Sequence, residues 1–316
     1  MEEIVFSVDL GGSSLRFAVF DLKGQCLDLK QVPSHLLQDP LDLVRHLQDL
    51  AYLFLKKFSK NQLLAFNLGV PGLVDLEGQV LASPHFPQWQ NFPLRQQLEK
   101  ALAIPFELDN DANQAALGEA FFGLAKEWKD FVLIQIGTGL GAGIVLDQKI
   151  YRGPQGLAGE VGHMTIEKSG APGALGIRGT LESLCSLSGL RDQIHEMLRA
   201  NPRLGWEAWV DSPQLPEILA QRAREGCEIS QNLWKNLGSS LACGIANLVH
   251  SLGLFYFAIG GGLSGAWDCF EAPLQEELQE RLYPCLSPKV QVEKSALGDQ
   301  AGLLGGLAKA LASSQP

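Results

Sequence analysis

The 316-residue chain is 46% apolar and only 19% charged, which supports a sizeable core and excludes an intrinsically disordered protein. At about 150 residues per domain, two domains or lobes are expected. The formal charge of −10 argues against a nucleic-acid backbone or an anionic membrane as the main partner, and allows small ligands, including phosphates held by backbone amides. Six cysteines, at 26, 185, 227, 243, 269 and 285, form no C-x-x-C pair or other metal-like cluster. They read as small apolar residues in a reducing compartment. Met1-Glu2-Glu3 runs straight into an apolar stretch without the basic start and cleavage site of a signal peptide, so a cytoplasmic protein is expected.

Residues 4–21 predict strand, glycine turn, strand, with Val5, Phe17, Val19 and Phe20 as β-formers around Gly11-Gly12-Ser13-Ser14. Residues 40–58 repeat Leu43, Leu47, Leu50 and Phe54 at helical spacing. A short apolar strand at 63–70 ends at Pro71-Gly72, and a helix at 112–122 stops at Gly123. Strands at 131–136 and 143–146 flank a second glycine turn. Residues 181–200 and 217–251 are mostly helical, followed by a strand at 254–259, a helix at 270–282 and a small-residue helix at 302–311. Residues 241–263 are long and apolar enough to suggest a membrane span, but their glycines and the β-favouring Phe255-Tyr256-Phe257 split them into helix end and strand. No membrane partner is therefore expected. Alternating strands and helices make the class α/β.

A constant offset of 126 residues lays Gly11 on Gly137 and the strand 17–21 on 143–147. Each unit is strand, tight glycine turn, strand, closing aspartate. Two unrelated hairpins would explain this; so would a duplicated lobe whose turns both offer N–H groups to one phosphate chain. Gly137-Thr-Gly139-Leu-Gly-Ala142 fits a dinucleotide fingerprint in letters only, because a strand follows it where that fingerprint needs a helix. Gly260-Gly261-Gly262-Leu-Ser-Gly265 lies between strand and helix, but the 51 residues after it are too few to complete a doubly wound dinucleotide fold.

Together these residues resemble the ROK family (repressor, open reading frame, kinase) of sugar kinases. The resemblance is carried by Asp9-Leu-Gly-Gly-Ser-Ser-Leu-Arg16, Gly69-Val-Pro-Gly72, Trp89 through Leu94, Asn110-Asp111-Ala-Asn113, Ile136-Gly-Thr-Gly139, Gly159-Glu-Val-Gly-His163 and Gly260-Gly-Gly262. It implies an actin-like ATPase (ribonuclease H-like) fold, two lobes with a cleft between them that closes to exclude water. The lobes are expected at 1–118, joined by the closing helix at about 302–316, and at 119–301. It further implies ATP-dependent phosphorylation of a hexose, at the 6-hydroxyl, glucokinase-like. N-acetylmannosamine, fructose, mannose, allose and N-acetylglucosamine are alternative sugars.

By the same resemblance Asp111 is the general base, although an aspartate at a helix start is often only an N-cap. Asp109 is a rival carboxylate that falls where the family has no fixed acid. Asn110, Asp111, Glu160, His163 and Glu182 would hold the sugar hydroxyls. Alone, Glu182 reads as a solvated helix residue capped by Thr180. Asp9 would orient Mg²⁺ on ATP, through water. Gly11, Gly12 and Ser13 would line one phosphate turn, Gly137, Thr138 and Gly139 the other, and Gly261 and Gly262 the adenosine side. Arg16 is either surface charge or an ion-pair partner.

Many family members carry a zinc bound by one histidine and three cysteines soon after the Gly-His. The matching positions here hold Gly173, Leu175 and Thr180, so no structural zinc is expected. Family repressors carry a helix-turn-helix ahead of the kinase-like part. Asp9 lies eight residues from Met1, which leaves no room for one, so no nucleic-acid partner is expected. A catalytically silent sugar-binding protein is the reading from another class. A homodimer is implied, through the apolar helices of 181–251. The segment around Trp206, Trp209 and Pro213 has no functional account.

Overall fold

The computed structural model describes residues 2–173 and 176–313. The apolar run after Glu2 forms β1 (Glu3–Leu10), buried along nearly its whole length because both its faces are covered. β2 (Ser14–Asp21) returns antiparallel to it, with Asp9 opposite Arg16, and β3 (Cys26–Pro33) continues the meander. The amphipathic α1 (Pro40–Lys57) starts at Asp39, whose side chain accepts the Leu41 N–H at 2.9 Å. β4 (Gln62–Val70) then pairs parallel to β1. A small hairpin, β5 (Leu73–Val74) and β6 (Val80–Ala82), leads to α2 (Leu94–Ala101), β7 (Glu107–Asn110) and α3 (Asp111–Phe122). The first sheet has the order β3-β2-β1-β4-β7. Its core gathers Phe6, Phe17, Phe54 and Phe66 edge-on or tilted, at centroid distances of 5.1 to 6.0 Å.

The pattern then repeats. β8 (Phe131–Ile136), β9 (Leu140–Leu146) and β10 (Lys149–Ile150) form the second meander. The helices α4 (Leu181–Cys185), α5 (Leu187–Ala200), α6 (Leu215–Arg224) and α7 (Glu228–Leu252) precede β11 (Tyr256–Gly260). α8 (Trp267–Arg281), β12 (Gln291–Lys294) and α9 (Ala301–Ser313) complete the chain. The second sheet runs β10-β9-β8-β11-β12, the same order as the first position for position. In both, the strand before the glycine turn pairs parallel with the next long-range strand, β1 with β4 and β8 with β11. The echo at offset 126 is therefore a repeated topology, not two unrelated hairpins.

Two compact units result. One holds the residues up to Lys129, Gly143–Gly159 and those from Asp299 onward; the other holds Asp130–Ala142 and Glu160–Gly298. A break after residue 118, as expected from the resemblance, would cut α3. The apolar stretch 241–263 does split: α7 ends at Leu252, Gly253 takes the left-handed conformation at φ 69°, and β11 follows. No helix among the described residues is long and apolar enough to cross a membrane. The large apolar side chains of α4 to α7 are mostly buried within the chain, among them Leu181, Leu190, Ile194, Leu233, Trp234 and Leu241. Trp206 and Trp209 meet at right angles, 5.8 Å apart, and the Arg222 guanidinium lies 5.1 and 3.8 Å from their ring centroids. Arg191 ties down the same segment through the carbonyls of Val210 and Ser212.

α9 explains its own composition. Its glycines face β1, β4 and α3 at backbone distance. Ser7 donates its hydroxyl to the Leu303 carbonyl at 2.6 Å, and Asn67 donates to the Gly306 carbonyl at 2.7 Å. A Cβ at Gly305 would overlap the carbonyl oxygen of Gln114. Gln114 Nε2 donates both to Val8 O and to Gly302 O, each at 2.8 Å. One buried amide thus joins β1, α3 and α9.

Candidate active site

In the first unit, Asp9 stands at the end of β1, nearly buried, ion-paired to Arg16 on the facing strand. Burial pushes its carboxyl above the usual range against the pull of Arg16, and the Asp299 charge adds to the rise. Gly302 lies directly against this carboxylate. The turn after β1 is held by its carbonyls: Ser34 donates its hydroxyl to Gly12 O at 2.5 Å and its N–H to Ser13 O at 3.0 Å. His85 packs on Gly12, so that a Cβ there would sit 3.3 Å from the ring.

β7 delivers Asp109, Asn110 and Asp111 to the start of α3. Asn110, not Asp111, is the N-cap: its Oδ1 accepts the N–H groups of Ala112 and Asn113 at 2.9 and 3.1 Å. Its Nδ2 donates to Gly72 O at 3.2 Å, which leaves that nitrogen a second N–H. Asp111 is the first residue of the helix, and its Oδ1 also accepts the Ala112 N–H, at 2.9 Å. The capping explanation for an acid at 111 is thus largely taken over by its neighbour. Asp109, the rival acid, is buried and already occupied by Arg152, the Asn110 N–H and the Asn113 amide.

In the second unit, the turn Gly137-Thr138-Gly139 is supported from behind as the first is. Ser188 donates its hydroxyl to Thr138 O at 2.9 Å, and Leu187 donates its N–H to Gly137 O. Thr138 is the offset partner of Gly12, so a serine hydroxyl pins the same carbonyl in both turns. Gly261, at φ 82°, presses on the end of β8; a Cβ there would lie 2.5 Å from Ile136 O. Gly262 has open space around it. Gly261 therefore shapes the turn, and Gly262 has room beside it for a ligand.

Glu160 and His163 flank one short helical turn, with Oε2 3.8 Å from Nε2. Glu182 is buried in the first turn of α4 and accepts the Leu140 N–H at 2.8 Å, so it is no solvated surface residue. Burial raises the Glu160 carboxyl above its usual 4.5; His163 pulls it down and the Glu182 charge pushes it up. Thr180 caps α4 through Ser183 N–H at 3.2 Å. The segment joining these groups is held by backbone hydrogen bonds. Ile166 and Glu167 donate to Gly179 O, Gly179 donates to Ala171 O, and Leu181 donates to Met164 O. Gly173 offers no donor atom, the Thr180 oxygen serves the cap, and Leu175 lies outside the described residues. Among the described residues no group of three or more His, Cys, Asp or Glu is arranged to hold a metal ion. His163 Nδ1 is buried with no hydrogen-bond partner among them.

The first unit thus gathers two carboxylates, Asp9 and Asp111, on elements joined by Gln114. The second gathers two carboxylates and an imidazole beside a glycine turn. Sequence reasoning missed Gln114, Gly302 and the partners of Arg16 and Asp109. Only for Arg16 was there a local signal, its place opposite Asp9 across a four-residue turn.

Two sheets of one order, each with a glycine turn after its first strand, define an α/β protein of the actin-like ATPase fold. The chain belongs to the ROK family, matching it over residues 5–313. It is 30% identical over 308 residues to a xylose repressor of Caldicellulosiruptor bescii, covering 96% of this chain and 77% of the repressor. It is 29% identical over 306 residues to a glucokinase of Halalkalibacterium halodurans, covering 95% and 92%. Among solved structures, a ROK family glucokinase from Streptomyces griseus in complex with glucose and AMPPNP superposes with a TM-score of 0.81 at 27% identity, covering 98% of this chain and 99% of that one.

Proposed function

We propose that the chain transfers the γ-phosphoryl group of ATP to a hexose hydroxyl, the 6-hydroxyl of a glucose-like sugar. The observation that carries this reading is the placement of Asp111. It sits in the first turn of α3, its capping duty shared by Asn110, and it is joined through Gln114 to the strand that bears Asp9. A base aimed at a hydroxyl and a carboxylate for the phosphate side are the two groups this transfer needs from a protein. The similarity to a glucokinase solved with glucose and AMPPNP supports the choice of substrates.

In this reading Asp111 accepts the proton of the attacking hydroxyl. Asn110, Glu160, His163 and Glu182 fix the other sugar hydroxyls. The turns at Gly11-Gly12-Ser13 and Gly137-Thr138-Gly139 offer backbone N–H groups to the phosphates, and Gly261 and Gly262 meet the adenosine side. Asp9 would hold Mg²⁺ through water, and the ion would neutralise charge on the phosphate oxygens. The near-buried, Arg16-paired carboxylate fits this use, since one carboxylate plus substrate phosphates suffices for Mg²⁺. The protein would be a cytoplasmic homodimer.

The same reading has the loop after His163 stand without zinc, on its backbone hydrogen bonds. Elemental analysis of purified protein is expected to find well under one zinc per chain, and prolonged chelation, followed by removal of the chelator and return to MgATP, to leave activity unchanged. One tightly held zinc per chain would overturn this. The raised Glu160 carboxyl gives a second prediction. Glu160 must be charged to accept strongly from sugar hydroxyls, and it protonates as pH falls through its raised pKa. The sugar KM should therefore climb on the acid side at a higher pH than an ordinary carboxylate near 4.5 would cause. Glu160→Gln should remove that limb of the profile.

The xylose repressor similarity favours one other reading, a sugar-binding regulatory protein without turnover. Incubation with MgATP and a panel of glucose, mannose, fructose, allose, N-acetylglucosamine and N-acetylmannosamine separates the two. A phosphorylated sugar, with its position read by phosphorus NMR, supports the kinase. Sugar binding with no phosphorylated product supports the regulator.

A further inference from the structure

We propose that the Asp109–Arg152 ion pair is a positioning device for the loop of residues 151–159, and that Asp109 is not a second base. This rests on the kinase reading, because it assigns the pair an effect on sugar binding. Asp109 is 6% exposed and lies on β7 two residues before Asp111, in register with Gly69. Its Oδ1 accepts the Asn110 N–H at 3.0 Å and the Asn113 amide at 3.3 Å. Its Oδ2 pairs with Arg152, and Lys309 of α9 stands 3.7 Å away. Two donors thus occupy Oδ1, and Oδ2 faces the Arg152 guanidinium with the Lys309 ammonium close by, so the side chain is engaged in structural contacts.

Arg152 opens the loop that follows β10. The loop folds back on its own start, with Ala158 donating its N–H to Arg152 O at 3.0 Å. Its middle, Gly156 at φ 85°, packs on the backbone of Asp75 and Leu76, where a Cβ would come within 2.9 Å. A hollow of about 320 Å³ beside the loop is lined by Asp75, Arg95, Asp109, Arg152 and Lys309 together with the apolar Val74, Leu76 and Leu108. The ion pair ties the start of the loop to β7 by a side-chain contact. The loop continues through Gly159 directly into Glu160. Asp111, by contrast, sits in the first turn of α3, a helix that Gln114 ties to β1 and α9. Releasing the pair should therefore loosen a sugar ligand and leave the base in place.

The test compares Asp109→Asn, Arg152→Gln, Arg152→Lys and the double variant Asp109→Asn/Arg152→Gln. Two readouts are used: steady-state kinetics with the hexose the wild type turns over best, and hydrogen exchange of residues 151–159 in the sugar-free protein. Each single neutral variant is expected to raise the sugar KM roughly tenfold, with kcat and the ATP KM within about threefold. The double variant should be no worse than the worse single one, because the two act as one unit. Arg152→Lys should return the KM to within about threefold of wild type. The Ala158 amide should exchange faster in both neutral variants. A collapse of kcat in Asp109→Asn alone, additive losses in the double variant, or unchanged exchange would each overturn the proposal. Arg152 has a side chain 34% exposed, so Arg152→Gln carries the test if the Asp109 variant fails to fold. A wild type that phosphorylates no sugar would sink the kinase reading, while the exchange measurement would still decide whether the pair holds the loop.

Discussion

Asp111→Asn is expected to lower kcat by about a thousandfold and to leave the sugar KM within a few-fold, since general-base catalysis contributes roughly 10²- to 10⁴-fold. The substitution is mild in every respect but one. Asparagine keeps the oxygen that accepts the Ala112 N–H, and Asn110 still caps α3. What is removed is the negative charge and, with it, the ability to take a proton. Thermal melts of the variant should coincide with those of wild type, so that the loss in kcat reads the chemistry and not the fold. A variant with wild-type kcat would mean that another group, or none, takes the proton. A parallel loss in kcat and in melting temperature would instead assign Asp111 to the helix start.

The second large effect is expected at Gly302. A Cβ there would lie 2.6 and 2.7 Å from the two carboxylate oxygens of Asp9, closer than any side chain tolerates. α9 cannot back away cheaply, because Gly305 and Gly118 are themselves in backbone contact with their neighbours. Gly302→Ala must therefore move Asp9. Displacing a positioned group by about 1 Å can cost on the order of a hundredfold, and that loss is expected in kcat/KM for MgATP. The stability cost should be about 1–3 kcal/mol, as for other overpacked sites. Kinetics below the melting transition separate the two. Full activity in the folded variant would show that the seat of Asp9 has no bearing on the phosphate side.

Much of this was legible in the residues, for particular reasons. The glycine turns and their offset stood out because small residues at a tight turn leave few alternatives. The echo could not reveal that Ser34 and Ser188 pin corresponding carbonyls, since each serine is far from its turn in sequence. Short or exposed elements also escaped. β7 spans only Glu107–Asn110, and β3 is an edge strand whose apolar residues do not alternate. The stretch 217–251 is mostly helical as expected, in two helices with a turn around Gly226 between them that apolar spacing alone does not mark.

Charged residues were the least legible. Asp109 meets Arg152 across 43 residues, and Gln114 reaches carbonyls 106 and 188 positions away. No local pattern encodes such pairs. Arg16 differs, for its register opposite Asp9 on the adjoining strand follows once the turn length is known. α3 packs along α9, and no local pattern in the sequence signals that contact either.

The central claim, phosphoryl transfer from ATP to a hexose, is tested most directly by ADP release from the wild-type protein with MgATP, measured with and without each hexose of the panel. The account predicts slow release alone and a rise of at least about a hundredfold with one sugar, a rise that Asp111→Asn abolishes. Release that no sugar stimulates, from protein shown by calorimetry to bind sugar, would contradict it.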